Sequence, residues 1–178
     1  MSGHSKWSQI KHKKGTADAK RSKIFSQVSR VITLAAREKG SDPALNSTLR
    51  AAIENAQSVN MPKDTIERAI KKAAANEEQL FRVLYEAYGP GGVAMLIEGI
   101  TDNNNRTFAE IRKILETHDA KMAPGGAKWA FVKEGEIWNA TTILPIDDVA
   151  RRKIEELVEA LLAHDDMQEV YTNLKPGT

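Results

Sequence analysis

The spacing of apolar residues changes once along this chain. From about Ala17 it is helical: Ile24, Phe25, Val28, Val31, Ile32 and Ala35 fall within an arc of about 120° at 3.6 residues per turn, and Gly40 stands where a C-terminal cap is expected. Lys23, Arg30 and Arg37 recur every seven residues, a stripe that drifts only about 20° per step and lies away from the apolar arc. One face of this helix is expected to pack and another to be basic. A second helix is expected after Ser41-Asp42-Pro43, with Leu49, Ala52, Ile53 and Ala56 inward. A third is expected from Pro62, with Ile66, Ala69, Ile70 and Ala73. Three short amphipathic helices joined by brief turns predict a small bundle, and Asn76 to Gln79 reads as the linker that follows it.

Beyond the linker the period falls from 3.6 to 2. Phe81, Val83 and Tyr85 alternate, Gly89-Pro90-Gly91-Gly92 turns the chain, and Val93 to Ile100 is a largely apolar second strand. Asp102 to Asn105 offers cap chemistry for a helix with Phe108, Ile111, Ile114 and Leu115 on one face. Trp129 to Val132 and Glu136 to Trp138 predict a hairpin around Gly135. A last helix, about Asp147 to His164, is expected to turn Val149, Ile154, Leu157, Val158, Leu161 and Leu162 inward, and Glu169 to Thr172 closes as a strand. The order of elements predicts an α+β fold, a three-helix bundle followed by a ferredoxin-like split βαβ domain with one extra strand in front.

Charge divides the chain in the same place. Residues 1–72 hold 15 Lys and Arg against 6 Asp and Glu, a balance of +9, whereas residues 73–178 hold 11 against 18, a balance of −7. The formal net charge of +2 conceals this. A concentrated positive end attracts polyanions over a Debye length even when the whole molecule is nearly neutral. Ser2 to Thr16 has no apolar period and reads as an extended arm carrying Lys6, Lys11, Lys13 and Lys14 with His4, Trp7 and His12 among them. With Lys20, Arg21, Lys23, Arg30, Arg37 and Lys39 the segment offers ten cations against Asp18 and Glu38. Each cation that neutralises a phosphate releases condensed counterions, so nucleic acid is the partner these charges favour. Lysine-rich helix surfaces are also ordinary solvated faces, a reading that the imbalance of the whole segment disfavours.

Trp7 has two readings, an indole stacked on a splayed base or an anchor folded back on the bundle. His4 and His12 have no thiol and no carboxylate close in sequence, so hydrogen bonding to phosphate or backbone is favoured over a metal site. The Gly89 to Gly92 turn lacks the following Lys-Ser/Thr of a phosphate cradle and is read as a turn that supplies positive φ. Asn103, Asn104, Asn105 and Arg106 read as turn and helix-start residues, with contact to RNA as the second option. Asp165 and Asp166, at the unfavourable end of the last helix, suggest an interaction surface. There is no cysteine, which removes thiolate metal sites and cysteine nucleophiles. The four histidines are scattered and no nucleophile elbow occurs, so no enzyme, cofactor or metal is expected. No apolar run approaches the roughly 20 residues of a membrane span, and a cytoplasmic protein is expected.

The motifs Gly3-His4-Ser5-Lys6-Trp7, Ile10-Lys11-His12-Lys13-Lys14, Asp18-Ala19-Lys20-Arg21, Asn60-Met61-Pro62-Lys63-Asp64-Thr65-Ile66-Glu67-Arg68-Ala69-Ile70-Lys71-Lys72 and Tyr88-Gly89-Pro90-Gly91-Gly92-Val93-Ala94 closely resemble the YebC/PmpR family. Its mitochondrial relative is the translational activator of cytochrome c oxidase subunit I. The match is looser through Thr101 to Thr107 and Lys128-Trp129-Ala130-Phe131. The resemblance implies a DNA-binding transcriptional regulator or a ribosome-associated translation factor that relieves stalling, notably at runs of proline. It assigns nucleic-acid contact to the basic motif Lys6, Lys11, Lys13, Lys14, Lys20, Arg21 and Lys23, beside His4, Trp7 and His12. Lys63, Arg68, Lys71 and Lys72 form a second site. Typical members carry a further acidic α/β domain between the hairpin and the closing helix, whereas here Asn139 to Pro145 leads almost directly into that helix.

The expected organisation is therefore residues 1–78 as a basic arm and three-helix bundle that binds nucleic acid, and residues 79–178 as an acidic ferredoxin-like domain. The expected partner is rRNA, tRNA or the ribosome, with double-stranded DNA as the alternative. The acidic domain is the candidate for a protein partner.

Overall fold

The computed structural model describes residues 17–75 and 79–175. They fall into two compact units: one holds the helices and the short segment Ile100–Asp102, the other Val83–Gly99 and the chain from Asn103 onward. The arm, with His4, Lys6, Trp7, Lys11, His12, Lys13 and Lys14, and most of the linker at 76–78 lie outside the described residues.

The helical unit contains α1 (Ala17–Lys39), α2 (Ser47–Ser58) and α3 (Lys63–Ala75). Gly40, with φ +94°, ends α1 in a conformation that L side chains rarely adopt. The second helix starts later than the Ser-Asp-Pro sequence suggests. Asp42 Oδ1 accepts from Ala44 N–H at 2.9 Å, making residues 41–46 a turn, and the helix begins only where Asn46 caps it. Asn46 is 1% exposed: its Oδ1 accepts from Leu49 N–H at 2.9 Å while its Nδ2 donates to Ala35 O at 2.8 Å and Gly40 O at 2.7 Å. A single amide thus fastens the start of α2 to the end of α1.

Ile32, Ala35, Leu49, Ala52, Ala56, Ile66, Ala69 and Ala73 form the bundle core, and the many alanines let the helices approach closely. Thr33 Oγ1 donates to Ala69 O at 2.9 Å and fixes α1 against α3. The sequence suggested one apolar arc on α1. The structure buries the other side as well, because Leu34 packs with Leu80 and Ile100 in a second small cluster.

The other unit is built on a four-stranded sheet of β1 (Phe81–Tyr88), β2 (Ala94–Thr101), β3 (Lys121–Met122) and β6 (Met167–Thr172), in the order β3-β1-β2-β6. β3 is antiparallel to β1 and β6 to β2. The five residues joining β1 to β2 include Gly91 and Gly92 at φ +73° and +79°, as the glycine-rich turn predicted. Gly89 in the same turn lies so close to the last helix that a Cβ would stand 2.5 Å from Ile154 Cδ1. A split βαβ unit is present: β2, α4 (Asn104–Thr117) and β3 form the crossover, with β1 between the two strands.

The hairpin β4 (Phe131–Glu134) and β5 (Ile137–Ala140) does not join this sheet, as the sequence order suggested, but forms a two-stranded sheet of its own. The reason lies in side-chain alternation. Tyr85, Ala87, Met95, Ile97 and Val170 point to one face, where α4 and α5 (Asp148–Leu162) cover them with Ile111, Leu115, Ile154, Leu157 and Leu161. Leu84, Tyr88, Ala94, Leu96 and Tyr171 point to the other face and need a second cover, which Phe131, Ile137, Trp138 and Ala140 of the hairpin supply. Val149, expected inward, is exposed beside the N-cap Asp147.

Replacing Asn46 by Ala should lower bundle stability by about 2 to 3 kcal/mol, since a cap is worth about 1 kcal/mol and two carbonyls, the buried one of Ala35 and the partly buried one of Gly40, lose a donor. Urea unfolding followed by circular dichroism measures it. A loss under about 0.5 kcal/mol would show the amide to be idle.

Candidate nucleic-acid interface

Of the cations singled out on α1, Lys20 and Arg21 are exposed and Lys23 half-buried near the N-terminal end. Positive side chains there add to the positive end of the helix dipole; that costs helix stability but strengthens attraction for an anion. The rest of the basic stripe does something else. Arg30 Nη1 donates to Ile100 O at 3.1 Å, and Arg37 lines a shallow cleft of about 330 Å³ with Leu34, Glu38, Leu80, Phe81 and Arg82. Glu38 and Arg82 pair across it at 3.6 Å. Lys39 reaches Thr48 Oγ1 at 3.1 Å. Burial of Leu34 on this side of α1 carries the stripe into intramolecular contacts.

On α3 the outward side holds Lys63, Arg68, Lys71 and Lys72, all exposed. Arg68, Lys71 and Lys72 lie within an arc of about 100°. Lys63 Nζ stands 3.7 Å from Glu67, and Arg68 folds along its own helix, Nε to Asp64 O at 3.3 Å and Nη2 to Thr65 Oγ1 at 3.1 Å. Short connections make the three helices run up, down and up. Thr33 marks the level of Ala69, so Arg68 to Lys72 lie about ten residues of rise, or about 15 Å, beyond Lys23. The two groups of cations are therefore separate along the bundle axis.

The Asn103 to Arg106 motif makes the turn and helix-start contacts expected of it. Asn103 caps α4 through Arg106 N–H at 3.1 Å, Asn104 Oδ1 accepts from Tyr85 O–H at 2.8 Å, and Arg106 Nη2 donates to Asp166 Oδ2 at 2.8 Å. Asp166 also accepts from Thr107 Oγ1 at 2.5 Å and is buried, so the suggested acidic surface does not include it. Burial, with the Asp166 carboxylate nearby, pushes the Tyr85 hydroxyl up to about 12. His164 Nδ1 accepts from Asp166 N–H at 3.1 Å, which leaves Nε2 to donate to Glu110 at 2.8 Å. Among the described residues no three His, Cys, Asp or Glu side chains gather as a metal site would need, and no helix is long and apolar enough to cross a membrane.

One side chain expected in a strand stands apart. Trp129 lies in the turn Lys128–Ala130 before the hairpin and is 59% exposed. The turn is braced from β1: Glu86 Oε2 accepts from Ala127 N–H at 2.5 Å and from Lys128 N–H at 2.9 Å, and Oε1 stands 3.7 Å from the Lys128 ammonium. Burial alone would raise this carboxyl, but the two backbone donors and the ammonium outweigh it and hold Glu86 below its ordinary value of 4.5.

The described residues thus form a three-helix unit with exposed cations and an α+β unit whose sheet is covered on both faces. Comparison with known proteins places it further. Residues 5–76 match the model of the TACO1/YebC protein N-terminal domain, and residues 80–143 that of the TACO1/YebC second and third domain. A protein of Trichlorobacter lovleyi is 48% identical over 175 residues, 97% of this chain and 70% of the relative; one of Petrotoga mobilis is 46% identical over 176 residues with the same coverage. Both are named probable transcriptional regulatory proteins. The crystal structure of a conserved hypothetical protein from Aquifex aeolicus superposes with a TM-score of 0.86 at 32% identity, over 98% of each chain. The chain belongs to the TACO1/YebC family. In it seven residues, 141–147, join β5 to α5, with no domain between them.

Glu86→Gln should destabilise the protein near neutral pH. Because the folded-state pKa is depressed, the carboxylate's contribution is complete above the ordinary value of 4.5 and is lost as pH falls through the lower folded value. Thermal melts of both proteins should therefore converge in acid. A gap that persisted there would assign the loss to something other than the charge.

Proposed function

We propose that this protein is a non-enzymatic, nucleic-acid-binding regulator of gene expression that grips phosphates through the basic arm, the N-terminal end of α1 and the outward side of α3. Family membership together with the +9 balance of residues 1–72 carries this reading. Within it, an RNA- or ribosome-associated translation factor, acting to relieve stalling, is favoured by the shape of the basic surface. The outward side of α3 mixes Lys63, Arg68, Lys71 and Lys72 with Asp64 and Glu67 and has no Asn or Gln to read base edges, so it suits backbone contact better than a recognition helix. The names of the relatives support the second reading, a DNA-binding transcriptional regulator using the same surface. The acidic α+β unit is the candidate for a protein partner.

Changing Lys11, Lys13 and Lys14 to Glu should weaken binding by at least about tenfold at moderate salt and flatten the salt dependence, by about 0.7 per lost contact on a single strand or 0.9 on duplex DNA. Lys71→Glu with Lys72→Glu should do the same to a smaller extent. A salt-independent affinity would reject nucleic-acid binding altogether. Sedimentation with ribosomes that disappears when the arm is removed favours translation; preference for a defined promoter fragment over random DNA, without sedimentation, favours transcription.

A further inference from the structure

Trp129 is an exposed aromatic side chain that a hydrogen bond tethers to the sheet. Its indole Nε1 donates to Tyr88 Oη at 2.8 Å, and the Tyr88 hydroxyl donates in turn to Gly126 O at 2.9 Å. The residues on either side are fixed: Ala127 and Ala130 are fully buried, Ala130 N–H returns to Ala127 O at 3.2 Å, and Glu86 holds the two amides that precede the ring. An exposed indole without a tether loses rotamer freedom when it binds, whereas this one has lost much of it on folding.

The tether also determines what the ring can recognise. Its one polar group is satisfied within the protein, so what remains for a ligand is carbon surface. Among the described residues no ring or cation stacks on it. Trp138 is the contrast: its Nε1 is bound to Glu98 at 2.8 Å, it is half-buried, and Lys133 Nζ already lies 5.4 Å from its ring centre. Two lysines, Lys121 and Lys128, stand near Trp129, the second 3.7 Å from the Glu86 carboxylate that braces the turn. Lys121 stands directly opposite Tyr88 in the β1/β3 pairing, hence on the same face of the sheet, and the half-exposed Lys128 precedes the indole in the turn.

We propose that Trp129 is a stacking platform for an unpaired RNA base, with Lys121 and Lys128 meeting the adjoining phosphates. This gives the α+β unit a nucleic-acid contact of its own and rests on the nucleic-acid reading above. Stacking on a ring face tolerates every base, so the contact selects for strand openness rather than for sequence.

The test compares the full-length wild-type protein with Trp129→Ala, Trp129→Phe and Tyr88→Phe, each shown by circular dichroism to be folded. The probes are a short unstructured oligoribonucleotide and the same strand annealed to its complement. Trp129→Ala should weaken single-strand binding by about tenfold and leave duplex binding unchanged, while Trp129→Phe stays within about threefold of the wild type. Tyr88→Phe keeps the indole but releases it, and should cost about threefold on the single strand. Equal single-strand affinity of wild type and Trp129→Ala, or an equal loss on both probes, overturns the platform and leaves the salt-dependent basic surface standing. Failure of the wild type to bind either probe overturns both readings. Loss of ribosome sedimentation by Trp129→Ala with unchanged oligonucleotide affinity assigns the ring to a protein contact and likewise overturns it.

Discussion

The helical unit depends on the requirement that α1 bury two opposite sides. Ile32 and Ala35 face α2 and α3, while Leu34 faces Leu80 and Ile100. A helix packed on both sides has little surface left for solvent over its middle turns, so the cations there must find partners inside the protein. Arg30 finds one in the carbonyl of Ile100. The exposed cations of α1 stand at its ends, Lys20 and Arg21 before the packed region and Lys39, bonded to Thr48, after it. The basic surface is thus shaped by the apolar contacts of α1 as much as by its lysines.

A parallel constraint governs the sheet. β2 is apolar on both faces and buried on both, which explains why its sequence reads as a continuous run rather than an alternation. Helices cover one face and the hairpin the other. The hairpin's cover brings the turn at residues 127–130 over Glu86 and Tyr88, and there the backbone must be satisfied by side chains of β1. At the opposite side of the unit, Asp166 plays a comparable part, receiving Arg106 and Thr107 while buried. Such a carboxylate contributes only while its partners remain, since an unpaired buried charge is strongly destabilising.

Much of this was legible in the residues. The 3.6 and 2 periods located the helices and every strand but β3, Gly40 and the glycine turn at Gly91 and Gly92 carried positive φ values as expected, and the family motifs matched. What escaped had physical causes. Asn46 outcompeted Ser41-Asp42-Pro43 as the start of α2 because it caps one helix and closes another at once, which local sequence does not reveal. β3 has only two residues, too few for any alternation. The hairpin's own sheet, the inward turn of Arg30 and the burial of Asp166 all depend on which surface lies opposite, a long-range property. Trp129 looked like a strand residue because aromatic residues favour strands, yet its neighbours Ala127 and Ala130 are the ones that go inside.

The connector between β5 and α5 has a consequence of another kind. Leu144 is pinned to the tail of the last strand, accepting from Lys175 N–H at 3.2 Å and donating to Asn173 O at 2.8 Å, while the residues before it remain on the surface. Chain added ahead of Leu144 would leave every strand pairing and both covers of the sheet in place, and the entropy of closing a longer loop grows only slowly with its length. This surface bend is a docking port in the architecture. Chain length can vary at this point without the sheet having to be rebuilt.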